Sequence, residues 1–210
     1  MMTPTEILRE IASERSIGPK PEFSLPNIVK TILTIGKTHG IGRLSLAKEV
    51  GVGEGAIRTI IERLRKRGLI TVTAKGCDLT RKGLEIYDYL KSKLIEVVEV
   101  EGKELGIGEK YSAILLRGTL FRNQPFWNYR DIAVRVGATG AILMIPAGDK
   151  LTIPSVTDNA DVYASRLVKS REKMRIQGDD IVVICGADNY WKAEEAAIAV
   201  VISMIEDART

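Results

Sequence analysis

The stretch Leu44–Ile70, LSLAKEVGVGEGAIRTIIERLRKRGLI, decides how this chain is read. Leu44 to Val50 predicts a short helix. Gly51-Val52-Gly53 predicts a tight turn, in which Gly51 opens backbone conformations closed to other residues. Glu54 to Arg67 predicts a second helix with Ile57, Ile60, Ile61 and Leu64 on one face, ended by Gly68. Leu46, Val50, Val52, Ile57, Ile61 and Leu64 then share a small core that fixes the angle between the two helices. The opposite face of the second helix (Glu54, Arg58, Thr59, Glu62, Arg65 and Lys66) turns outward. Val52–Ile70 alone holds five cations, Arg58, Arg63, Arg65, Lys66 and Arg67, and they raise the question of what it touches.

Working outward, Thr3-Pro4-Thr5-Glu6 reads as a capped helix start with Glu6 closing a capping box. Ser16 to Pro26 is turn-rich. Ile28, Val29, Ile32 and Leu33 mark a helix that ends near Gly36. Beyond Gly68, Leu69–Thr73 and Cys77–Thr80 predict two short strands joined by Ala74-Lys75-Gly76, and Arg81 to about Lys93 predicts another helix. Past Leu94 the text is ambiguous, and a change from helix to strand is expected near Ile95.

Leu44–Ile70 followed by CDLTRKGLEIYDYL (Cys77–Leu90) resembles the winged helix-turn-helix of prokaryotic transcription regulators. The matching residues are Leu46-Ala47, Gly51-Val52, Ile57, Leu64, Gly68-Leu69-Ile70, Leu79-Thr80 and Gly83. The resemblance implies that the second helix of the pair enters the DNA major groove with its N-terminal turns on base edges. Glu54, Gly55, Arg58 and Thr59 become the base-facing candidates, Arg58 as a reader of guanine. Arg65 and Lys66, with Arg63 and Arg67, become candidates for phosphate contact and for the favourable end of the helix dipole. Lys75 at the wing tip, and Arg43 and Ser45 opening the preceding helix, would meet phosphate too. Two other readings stay open: a cation-rich helix end is also what a solvated surface looks like, and winged helices also dock proteins.

Charge supports a division. Residues 1–95 carry 17 Lys and Arg against 10 Asp and Glu, a net of +7, whereas residues 96–210 carry 14 against 17, a net of −3. A basic domain (1–95) followed by a slightly acidic one (96–210) is the expectation. The longest charge-free apolar run, Ala196–Ile205, is far short of a membrane span, and Glu6 and Glu10 stand where an export signal would be apolar. Two distant cysteines, Cys77 and Cys185, make no disulfide framework or zinc cluster and fit a reducing cytoplasm. With a single histidine, His39, no metal site, no cofactor and no catalytic residue is nominated. Two glutamines among many Lys, Arg and Glu suggest a thermophile.

Tyr87, Leu90, Leu94 and Val97 form a brief heptad-like seam suited to a homodimer, with packing inside the chain as the alternative. The second half reads as an α+β sandwich in the order β-α-β-β-α-β-α, helices on one face of a mixed sheet, with a helix expected over Asp158–Met174. It resembles archaeal proteins that join a winged helix to an uncharacterised α/β domain, on RGTLFRNQPFWNYRDIAVRVGA (Arg117–Ala138). Arg122, Trp127, Asn128 and Arg130 are ligand-binding candidates, because aromatic walls with a few polar groups suit small molecules. The alternative is that these aromatics plug the core. Asp188 or Asn189 caps the helix that follows, and Asp188 at that N-terminus is the alternative candidate for an anion site. The expected protein is a cytoplasmic, dimeric, archaeal transcription regulator on double-stranded DNA. A small-molecule effector would act through the helix near Leu84–Leu94. An enzyme with an accessory winged helix and a protein-interaction adaptor are the alternatives.

Overall fold

A computed structural model describes residues 2–14, 22–100, 105–117, 125–148, 150–154, 156–160, 176, 178 and 180–208, with 95–100 described by their backbone alone. The chain divides into two compact units, Met1–Lys91 and Ser92–Thr210, and each is described by itself.

The first unit holds α1 (Pro4–Ser13), α2 (Leu25–Lys37), α3 (Arg43–Val50), α4 (Glu54–Lys66), β1 (Ile70–Thr73), β2 (Gly76–Leu79) and most of α5 (Arg81–Lys93). Thr3 and Glu6 form the expected capping box on α1: the Thr3 N–H donates to Glu6 Oε2 at 2.7 Å and the Glu6 N–H donates to Thr3 Oγ1 at 3.2 Å. Gly51 ends α3 in the left-handed region at φ 81°. Leu46, Ile57, Ile60 and Leu64 are fully buried with Ile28 and Ile32 of α2, and form the shared core. The wing is wider than two strands: Ile41, in the loop before α3, bridges to Cys77, whose N–H donates to the Ile41 carbonyl at 2.9 Å. This edge contact requires Gly76, because a Cβ there would collide with the Gly40 carbonyl.

The first half of the expected dimer seam, Tyr87 and Leu90, lies inside this unit. The Tyr87 ring stacks against α2 where Gly36 leaves room, and Leu90 is fully buried. Helix α5 ends at Lys93 and β3 (Leu94–Val100) begins at once, so the seam's last two members fall on a strand. A 3-4-3 spacing marks an apolar face without saying what will cover it, and at Tyr87 the cover is α2.

The second unit contains β3, β4 (Lys110–Leu116), α6 (Phe126–Arg135), β5 (Gly140–Ala147), β6 (Lys150–Thr152), β7 (Ile181–Ala187) and α7 (Tyr190–Asp207). The helix expected over 158–174 falls almost wholly outside the described residues. The sheet order is β3-β4-β7-β5-β6, and every ladder is antiparallel rather than mixed. The reason is topological. The β4-α6-β5 crossover makes β4 and β5 parallel to each other but leaves one strand's width between them, and β7 fills it running the other way. Helices α6 and α7 pack together, α7 over β4 and β7 and α6 over β5. On the other face Tyr111, Leu115, Met144, Val182 and Ile184 form a core with Leu151 and Ala160. No described helix is long and apolar enough to cross a membrane.

Candidate nucleic-acid interface

The outer face of α4, the start of α3 and the wing enclose a groove of about 630 Å3. Arg43, Ser45, Arg58, Arg65 and Lys75 all line it. Leu44 and Val72, 61% and 47% exposed, put apolar surface in the same groove. The side chains converge because the turn at Gly51 swings α4 across α3, while the wing folds back beside the last turns of α4. Among the described residues Arg43, Arg65 and Lys75 make no ion pair. Glu54 and Gly55 are exposed on the first turn of α4, and Thr59 donates its hydroxyl to the Gly55 carbonyl at 3.1 Å. These three and Lys66 do not line the groove.

The five cations of Val52–Ile70 separate into distinct environments. Arg58 Nε donates to Glu62 Oε1 at 3.1 Å, both side chains being well exposed. Arg65 points into the groove. Arg63, expected beside the wing, is instead 6% exposed. Its guanidinium donates to the carbonyls of Ile11 at 2.8 Å and Ala12 at 3.2 Å, and lies 5.1 Å from the centre of the Phe23 ring. It therefore caps the C-terminal end of α1, where a cation meets the negative end of the helix dipole. Arg67 pairs with Glu10 at 3.0 Å, and Lys66 with Glu14 at 2.6 Å. The hydrogen bond from Lys66 holds the Glu14 carboxyl below its ordinary value, against the opposite pull of burial. Arg63, Lys66 and Arg67 thus fasten α1, and periodicity could not foresee this because the partners lie more than fifty residues away in sequence.

His39 and Cys77 occupy different environments. His39 is an exposed loop residue, 3.6 Å from Asp78. Cys77 is 2% exposed on the wing, and burial pushes its thiol up. Among the described residues no three of His, Cys, Asp and Glu gather as a metal site.

In the second unit Phe126, Trp127 and Arg130 of α6 face a smaller concavity of about 260 Å3, floored by Ala141–Leu143 of β5 and closed by Ile153, Pro154 and Val156. Of the ligand candidates, Trp127 and Arg130 line it; Asn128 and Asp188 do not. Arg122 lies outside the described residues. Tyr129 follows the core-plug alternative: it is 5% exposed and donates its hydroxyl to Asp207 Oδ2 at 3.1 Å. Burial first, then Asp207, pushes its phenol up to about 12. Asn189, not Asp188, caps α7, accepting from the Lys192 N–H at 3.0 Å. Pro154 and Val156 carried no signal in the sequence, because their part in the concavity depends on the turn after β6.

A three-helix core, a grooved second helix of the pair and a two-stranded hairpin beside it give the first unit the winged helix-turn-helix fold. Residues 27–94 match the family model described as the CggR N-terminal DNA binding domain. Residues 107–204 match one described as a domain of unknown function, DUF4443. A hypothetical protein from Pyrococcus horikoshii OT3 shares the fold, with a TM-score of 0.73 and 24% identity over 90% of this chain and 96% of that one. No curated protein matches.

Proposed function

We propose that the chain is a transcription regulator whose first unit binds double-stranded DNA and whose second unit senses a small effector or joins two copies. The observation that carries this reading is the convergence of Arg43, Arg58, Arg65 and Lys75 on one groove beside an exposed helix face. Such a surface suits a duplex, in which phosphates take the flanking cations and base edges take the helix. Leu44 and Val72 are placed to meet the methyl groups and sugars that a duplex also offers. The first turn of α4 adds a second support. A Cβ on Gly55 would meet no neighbour, and glycine costs a helix roughly 0.5–1 kcal/mol relative to alanine. Gly55 therefore leaves room for a partner to approach the backbone closely at the first turn of α4.

The reading makes the chain a binding protein rather than a catalyst and places it with the chromosome in the cytoplasm. One head spans a single half-site, so a two-fold operator calls for a homodimer. Selection of bound duplexes from random DNA, run in parallel on wild type and Arg58→Ala, tests it. Loss of preference at one base pair is the expected result. Uniform weakening would make Arg58 a phosphate contact, and failure to enrich any duplex would refute the reading.

A further inference from the structure

The concavity between α6 and β5 has a composition that selects a chemistry. Its walls are almost wholly apolar: Leu105, Phe126, Ile142 and Ile153 among them. Trp127 and Val156 stand at its rim with 66% and 70% exposure, an unusual amount of apolar surface to leave in water. One cation, Arg130, belongs to the lining, 59% exposed, with its own neighbour Asp131 only loosely paired at 3.8 Å. Phe126 and Trp127 are the first two residues of α6, so the positive end of that helix dipole lies at the same rim. Along the floor, β5 pairs with β7 over Gly140–Met144, while β6 reaches only Ile145–Ala147 on its other side. Among the described residues the backbone edge at Ala141–Leu143 therefore has no ladder partner on the concave side, and it offers donors and acceptors to an occupant.

An apolar cup with a cation and a helix N-terminus at its mouth suits an amphipathic anion. At about 260 Å3 it falls just below the range of roughly 300–1,000 Å3 for drug-sized sites, which limits the occupant to a single ring or a branched chain. We propose that this concavity binds a small organic acid, its ring or branched chain against Ile142 and Trp127 and its carboxylate held by Arg130. As the regulator's effector site it rests on the function proposed above; as a binding site it does not.

The test uses the full chain with Trp191→Phe, which leaves Trp127 as the sole indole reporter. Phenylacetate, its neutral isostere phenylacetamide, and acetate are titrated without DNA, and tryptophan emission is read. Expected is saturable binding of phenylacetate, with the amide and acetate each weaker by about tenfold or more. Arg130→Gln weakens phenylacetate by about tenfold, whereas Arg130→Lys retains most of the affinity. Arg130 is exposed, so thermal melts of these variants coincide with the parent. Equal affinity for acid and amide, an unchanged affinity in Arg130→Gln, or no saturation by phenylacetate would overturn the proposal. Duplex binding is measured on the same samples. Its survival when phenylacetate fails refutes the acid site alone, and its absence refutes the regulator.

Discussion

Arg58 and Glu62 illustrate how little the free surface commits itself. An exposed i,i+4 pair contributes about 0.3–0.5 kcal/mol, so a guanine edge approaching Arg58 would displace Glu62 at small cost. Glu62→Gln is accordingly expected to leave stability nearly unchanged while raising affinity for duplex, read by fluorescence anisotropy. Gly55 gives a sharper expectation. Gly55→Ala should raise stability by about 0.5–1 kcal/mol, measured by urea denaturation, whereas Gly55→Leu should keep the fold and lose duplex affinity. Arg63 behaves in the opposite way. Removing it strips two carbonyls of α1 of a charged donor, so Arg63→Ala should cost about 2–3 kcal/mol in the same denaturation experiment.

At the scale of elements, α1 is held to α4 by three cations rather than by apolar contact alone. The Lys66 hydrogen bond depresses the Glu14 carboxyl. A lowered carboxyl contributes stability above its unfolded value, near 4.5, and that contribution is lost as pH falls through the folded value. Glu14→Gln should thus melt below the parent at pH 7, and the gap should close in acid. Much of the first unit was legible in the sequence. Apolar spacing placed α2, α3 and α4, and Gly51 and Gly68 punctuated them. The capping box at Thr3 and the turn at Ala74–Gly76 needed only local chemistry. What escaped was non-local: Ile41 joining the wing, Arg63 capping α1 and Tyr87 filling the space over Gly36. Each depends on which distant surface arrives, and spacing along one helix does not encode that. The second unit shows the same limit, since apolar runs predicted its strands but not that β7 would slot between β4 and β5.

For the whole molecule, the charge split coincides with two differently built units. The first presents a groove lined by Arg43, Arg58, Arg65 and Lys75, and the second a buried antiparallel sheet under two helices. Both thiols belong to interiors. Burial pushes Cys185 up to about 12 and raises Cys77 as well, so neither is a thiolate at neutral pH. The native protein should react slowly with a disulfide reagent and release two thiols on unfolding, followed by absorbance. Sedimentation with and without duplex checks the homodimer. The most direct test of the central claim, that the groove between α4 and the wing is the DNA face, is the salt dependence of duplex binding. The full chain and its Arg65→Ala/Lys75→Ala variant would be compared. Each phosphate contact contributes about 0.9 to the slope of log affinity against log salt. The account predicts a slope shallower by about 1.8 in the double variant; equal slopes in the two proteins would contradict it.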